Sequence, residues 1–371
     1  MVETAGRWRS EVEGVGASFA AAPEFPVFPT KGRHLKPYEA VAEAVTFTRP
    51  AIERFGAEIV VHDILTLAPA LGGELLGLPV ATLIPHLNPV TGPSDPPFGL
   101  GAPLPRSRLG KRTWRTLGRP VARGLVEGMR EYDELRGRVG LRARGRVHGA
   151  LSEELVIVGT YPQLEGRRQR PDHFEVVGPL FWEPPFPEVE LPEGDSPLVL
   201  VAPSTAQDPD HRLLLAALEG LGDLPLRVIA TWNRRPLPRA VAVPANTRLV
   251  EWLSYSRTIP HCRAVISHAG HGTLARTLQS GAVPVAVPWS GDQFENAARV
   301  VEAGLGVRLP ARLLSPGSLS LAVSRALTEP PCALRCRELR EWSAAHDGAG
   351  RAALLVTGLA TNHATAPRDT T

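Results

Sequence analysis

The chain has 371 residues, 43% of them hydrophobic and 21% charged, which is enough apolar material for two ordinary cores and excludes a disordered protein. Its 35 glycines and 37 prolines lie scattered between apolar runs without a period, which excludes a collagen-like or low-complexity chain. The net charge is +3, and since only Lys31, Lys36 and Lys111 are lysines, 38 of the 41 basic residues are arginine, a bias that points to a GC-rich genome.

At roughly 100 to 200 residues per domain the length predicts two domains. Met1 to Arg7 carries no apolar leader core, and no run reaches the ~18 apolar residues of a membrane span, so a soluble, cytoplasmic protein without an integral span is expected. The first clear strand is Glu58 to Val61, ending at His62-Asp63; a helical stretch runs through Leu76 and Pro79 to Ile84 is the next strand. Arg106 to Arg146 then carries thirteen basic residues against four acids, interleaved with Trp114, Leu117, Leu125 and Tyr132. A nucleic-acid patch would look like this, but no nucleic-acid motif accompanies it, and a solvated helical face is the expectation. Leu155 to Thr160 is a later strand, so residues 1–180 read as one parallel α/β domain.

Prolines crowd the segment from Gly178 to Asp195, marking a stiff linker over residues 181–196. Behind it come short apolar runs at Pro197 to Ala202, Leu226 to Ala230, Thr247 to Val250, Arg263 to Ser267 and Val283 to Val287, with a helix expected over His211 to Leu221. Continuous rather than alternating runs belong to a parallel sheet covered on both faces. Residues 197–345 therefore read as a doubly wound α/β domain, and 346–371 as a helix returning toward the first domain with a polar tail. Cys262, Cys332 and Cys336 are too few and too irregular for a disulfide framework or a zinc site; Cys332 and Cys336 read as half-buried thiols.

The stretch Arg263 to Arg276 carries the chemistry. A strand ends at His268, a glycine-spaced turn follows, and a helix opens at Thr273. Glycines let a ligand approach the backbone, and unpaired amides at a helix start bind anions, so a diphosphate is the natural guest. Asp292-Gln293 follows the end of the next strand, offering donors and acceptors for vicinal hydroxyls; Asp292 also suits an N-cap of a helix from Phe294 to Ala303.

Trp252, then His268-Ala-Gly-His-Gly-Thr273, Gly281-Ala-Val-Pro284, Pro288 and Asp292-Gln293-Phe-Glu-Asn296-Ala297 together resemble the donor-binding signature of nucleotide-sugar-dependent glycosyltransferases of the GT-B fold, in particular the bacterial natural-product branch. Weaker likeness extends to Glu11 to Phe19, Val60 to Asp63 and Gly77 to Pro79. The resemblance implies two Rossmann-like domains facing across a cleft. It also implies inverting sugar transfer from a dTDP- or UDP-sugar to a hydroxyl of a lipophilic acceptor, no cofactor or metal, and a possible homodimer. It makes His268 a diphosphate donor with the amides of Gly270, Gly272 and Thr273, and Ser204 and Thr205 further phosphate donors. Trp252 and Leu253 would lie against the base, and Asp292 and Gln293 on the sugar hydroxyls.

Two departures carry consequences. The family's ribose-binding Glu, eight residues after the diphosphate histidine, is here Arg276, which leans toward a dTDP-sugar or leaves Arg276 facing solvent. Family members also begin with a strand, a glycine-rich turn bearing the base histidine and a helix, about 35 residues at ordinary element lengths that this sequence lacks ahead of Val2. Asp63 matches the carboxylate that orients that base. His34, His62 and His86 are the substitutes to consider, each being more often a surface or core histidine. A non-catalytic sugar-nucleotide-binding homologue, or a partner of an active transferase, is the alternative reading. A nucleotide-sugar 2-epimerase, which shares the fold, would need carboxylates near the sugar that the sequence does not supply.

Overall fold

The computed structural model describes residues 1–25, 37–166, 170–186, 188–205, 207–237 and 241–365. His34 lies outside them.

In the first half, two short strands, β1 (Val2–Thr4) and β2 (Phe19–Ala21), flank helix α1 (Arg9–Gly14) and pair in parallel. They form a sheet of their own. The larger sheet is parallel and runs in the order of the sequence: β3 (Val60–Asp63), β4 (Val80–Ile84), β5 (Leu155–Val158) and β6 (Phe174–Val176). Helices α2 (Pro37–Phe55) and α3 (Ala68–Leu75) pack together beside β3. On β3 the alternation is inverted with respect to polarity, since His62 is 2% exposed while Val61 is 43% exposed. His62 is accommodated because every ring nitrogen is used: Nδ1–H donates to the Asp63 and Thr66 carbonyls, and Nε2 accepts from the Thr82 hydroxyl.

Helices α4 (Arg108–Leu117) and α5 (Arg119–Arg138) carry the basic stretch. Exposure holds for α4 and the first half of α5. The expected solvated face fails farther on, where Arg136 is buried in a two-pronged ion pair with Glu74 that Arg144 also joins. A one-turn helix, α6 (Pro162–Glu165), follows β5.

The second half is a six-stranded parallel sheet. In chain order its strands are β7 (Leu198–Ala202), β8 (Arg227–Thr231), β9 (Thr247–Val250), β10 (Ala264–Ser267), β11 (Val283–Ala286) and β12 (Val307–Arg308). Their spatial order is β12-β11-β10-β7-β8-β9. The order reverses between β7 and β10, and in doubly wound sheets the crevice outside the strand ends at such a reversal takes the ligand. The covering helices are α7 (Arg212–Leu221), α8 (Tyr255–Thr258), α9 (His271–Gln279), α10 (Asp292–Glu302), α11 (Pro316–Thr328) and α12 (Pro330–Ala344). All three cysteines are buried, so Cys332 and Cys336 lie deeper than the half-buried position expected of them, and burial pushes the Cys336 thiol up to about 12. The last helix, α13 (Gly348–Thr365), crosses back to the first sheet, where Leu355, Val356 and Leu359 cover Ala81, Leu155 and Ile157.

The halves share one core. Leu87, Tyr161 and Leu164 belong to the same buried cluster as Val199, Ile266 and Leu274. Segment 98–104 lies along α10: Arg308 donates to Gly101 O, Arg299 to Ala102 O, and Glu302 accepts from the Leu104 amide. Gly101 has φ +60 and sits where a Cβ would run into the Phe294 carbonyl, so only glycine allows this approach.

Candidate active site

The site is built at the reversal point, from the turns that follow β7 and β10. After β10 the chain turns sharply through Ala269, which is fully buried and held at φ 63, a left-handed conformation costly for any residue with a Cβ. Asn296 pins it: its Nδ2 donates to the Ala269 carbonyl at 2.9 Å and to the Asp292 carboxylate at 3.2 Å. One side chain thus couples the turn to the residue expected on the sugar. Asn296 received no role from the sequence, although its spacing of four from Asp292 on a helix was the available signal.

Helix α9 opens at His271, two residues earlier than expected, with Gly270 as N-cap and no side chain capping it. The first helical bond is Leu274 N to Gly270 O, so the amides of His271, Gly272 and Thr273 are the unpaired donors of the first turn. Gly272 faces open space. At Gly270 a Cβ would strike the His268 imidazole, so the missing side chain makes room for that ring.

Burial lowers the His268 pKa, with the Ala202 backbone and the Asp292 carboxylate pulling the other way, so the ring is neutral near pH 7. Its Nδ1 is buried and has no hydrogen-bond partner among the described residues, as is true of Trp289 Nε1 and Asn296 Oδ1. Buried polar atoms are normally satisfied, so each of these orphans is a position at which a polar guest has a bond to make. His271 is also neutral: burial brings it down to about 4, while its Nε2–H donates to the Gly159 carbonyl from the first half.

Ser204 and Thr205 follow β7 on the other side of the reversal point. Ser204 is buried and its Oγ accepts the Gln207 amide; Thr205 is exposed. The Thr273 hydroxyl is engaged by Tyr255, which leaves the Thr273 amide for an anion. Asp292 is the first helical residue of α10, not its cap; Gly291 holds the cap position with φ 56. Gln293 is largely buried, and its Oε1 accepts the Trp289 and Ser290 amides, so what it offers a hydroxyl is the Nε2 donor. Trp252 is half-buried with its ring 5.6 Å from that of Phe186. The Leu253 side chain is 2% exposed and packs in the core with Leu198, Leu200 and Ile229, so what it leaves toward a base is its backbone.

Arg276 does not face solvent. Its guanidinium lies over the Phe181 ring and 3.7 Å from Glu183, whose carboxylate accepts the Tyr255 and Ser256 amides. Asp63 Oδ1 accepts the Leu65 amide and so closes the turn after β3; no imidazole is hydrogen-bonded to its carboxylate among the described residues. Among the described residues, no group of three His, Cys, Asp or Glu side chains is placed to hold a metal ion, and no helix is long and apolar enough to cross a membrane.

Residues 215–349 match the family model described as Erythromycin biosynthesis protein CIII-like, C-terminal domain. Over 332 residues the chain is 31% identical to 4'-demethylrebeccamycin synthase of Lentzea aerocolonigenes, covering 86% of this chain and 78% of that one. Among solved structures, the glycosyltransferase of kitacinnamycin superposes with a TM-score of 0.75 at 20% identity, covering 96% of this chain and 90% of the other. The calicheamicin glycosyltransferase CalG4 superposes with a TM-score of 0.71 at 21% identity, covering 98% and 91%. At these identities the two structures speak for the fold.

Proposed function

Because the chain belongs to the natural-product glycosyltransferases of the GT-B fold, we propose that it transfers a sugar, with inversion, from a nucleoside diphosphate sugar to a hydroxyl of a lipophilic small molecule. The observation that carries the donor half is the pairing of the uncapped start of α9 with the unpartnered, buried Nδ1 of His268. A diphosphate there accepts from the amides of His271, Gly272 and Thr273 and from His268, while Asp292 and the Gln293 amide reach the sugar. Charge building on the leaving diphosphate is then met by donors already in place, with no reorganisation needed. For the acceptor, an apolar cavity of about 490 Å³ opens where β3 ends, lined by Phe25, Val41, Ala44, Leu65 and Leu67 among others. We place the reaction in the cytoplasm, in a monomer or homodimer.

Titration calorimetry with dTDP and UDP tests the donor half. Removing one hydrogen bond to a charged group costs about 1.5 to 3 kcal/mol, so His268→Ala is expected to weaken binding roughly 10- to 150-fold. Unchanged affinity in that variant, or no binding of either nucleotide at millimolar concentration to folded protein, refutes the assignment.

Selectivity gives a second expectation. With Arg276 folded onto Glu183, position 276 presents no carboxylate to a ribose, and Glu183 is occupied capping α8. Competition binding is expected to show no preference for UDP over dTDP; UDP binding about tenfold tighter or more, some 1.4 kcal/mol, contradicts this.

A further inference from the structure

We infer that α4 and the first half of α5 dock the protein peripherally on an anionic lipid surface, aliphatic side chains entering the headgroup layer and arginines meeting lipid phosphates. The charge of this segment has one sign. From Arg106 to Val126 the sequence holds seven basic residues and no acid, the first carboxylate being Glu127. Among the described residues no carboxylate pairs with any of the seven; the ion pairs of these helices are Arg130 with Glu127 and Arg136 with Glu74.

The apolar side is separate from the basic one. Along α4, Leu109, Thr113 and Leu117 line one face, and Arg108, Lys111 and Arg115 the opposite one. Arg115 donates to the Ser94 hydroxyl of the preceding loop and Lys111 borders the same open cavity, so the apolar face of α4 points outward. On it, Leu109 is 74% and Leu117 59% exposed.

On α5, Val121, Leu125, Tyr132 and Leu135 share one side. Tyr132 and Leu135 are buried in one cluster with Val45 and Leu71, whereas Val121 and Leu125 are exposed. The core-facing stripe of α5 therefore outruns the protein it packs on by about two turns. Gly118 joins the two helices end to end: its dihedrals are helical, its amide donates to the Trp114 carbonyl and its own carbonyl accepts the Ala122 amide. The exposed stripes of α4 and α5 thus stand in one unbroken stretch of chain.

An anionic bilayer satisfies both sides at once. In a helix lying in the headgroup layer, apolar side chains enter while long basic side chains bend back to the phosphates. Nucleic acid would take up the cations and leave the exposed aliphatic side chains in water. A second copy of this chain would bring the same seven cations against the first. The docking itself is independent of the sugar-transfer reading, but it acquires a use there. Val41, Ala44 and Leu67, which line the apolar cavity assigned above to the acceptor, pack against the same cluster as Tyr132 and Leu135. The docked helix thus leads into the wall of that cavity, and a lipophilic acceptor dissolved in the bilayer is concentrated beside it.

Vesicle flotation of the full chain tests the docking. The wild type is expected to float with phosphatidylcholine vesicles containing about one third phosphatidylglycerol, not with phosphatidylcholine alone, and to be released by high salt. Arg112→Gln, Arg119→Gln and Arg123→Gln together should weaken binding roughly 100-fold, about fivefold per cation. Leu109→Ser with Leu117→Ser should weaken it at least about tenfold. All of these side chains are exposed, so thermal melts and dTDP affinity should match the wild type in both variants.

Folded wild type that ignores the anionic vesicles overturns the docking. Binding that survives the leucine substitutions overturns it too, because charge alone then accounts for the contact. A concentration-dependent dimer in sedimentation velocity that those substitutions dissolve makes the stripe an interface between copies instead. Tighter binding to a DNA duplex than to the vesicles, insensitive to the leucine pair, assigns the cations to nucleic acid.

Discussion

Replacing Arg299 by methionine is expected to destabilise the protein by about 3 to 5 kcal/mol, the usual loss when one member of a buried ion pair is removed and its partners stay charged. The guanidinium is 2% exposed and holds three groups: Glu295 of the previous turn, Glu302 of the next, and the Ala102 carbonyl from the first half. Without it, Arg308 still lies near Glu295, and Glu302 keeps its bond from the Leu104 amide. At about 2 to 4 °C per kcal/mol for a domain of this size, the transition melting the second half should fall by roughly 6 to 20 °C. A shift of only a degree or two in a thermal melt means that the network is solvated. A second variant, Arg299→Met with Glu295→Leu, should recover part of the loss, because it removes a charge together with its partner.

Acidification provides the second large effect. Burial holds the folded-state pKa of His271 at about 4, whereas an unfolded histidine titrates near its ordinary 6.5. The unfolded chain therefore binds the proton first. The neutral ring's contribution is complete above about pH 6.5, is lost as pH falls from there to about 4, and levels off below, amounting to about 3 kcal/mol. His271→Gln keeps a donor for the Gly159 carbonyl and does not titrate. Denaturant melts at pH 7.5 and 4.5 should show the variant losing about 2 to 3 kcal/mol less than the wild type on acidification. Other histidines with lowered values, His62 and His268 among them, contribute to both proteins and cancel in the comparison.

The second half was legible because its central strands β7, β10 and β11 are buried along their whole length, so each appears as an unbroken apolar run. Thr247 to Val250 matches its strand at both ends, and the runs at Pro197 and Arg263 begin one residue before theirs. The first half was harder for the same physical reason. Strands β1, β2 and β6 are three residues long with no fully buried position, and β3 buries a histidine while exposing a valine. The two donor-site helices, α9 and α10, each begin two residues before the expected start. In both cases the fold, not a capping side chain, sets the first turn.

The site residues split along similar lines. Those on one turn, His268 to Thr273, were readable from local spacing. Those that depend on distant partners were not: Arg276 on Glu183 and Asn296 on Ala269 are contacts that only the tertiary structure brings together.

The strap of residues 98–104 along α10 bears on how such proteins can be recombined. A chimaera joined at the proline-rich segment would look modular, but it would pair a foreign strap with Arg299, Glu302 and Arg308 and require glycine opposite the Phe294 carbonyl. Leu87 and Tyr161 would likewise have to fit a core grown around another chain's strands. Exchange of donor specificity is better sought by grafting the turns around His268 and Asp292 within one chain than by swapping halves. Any whole-half exchange should carry residues 86–104 along with α10.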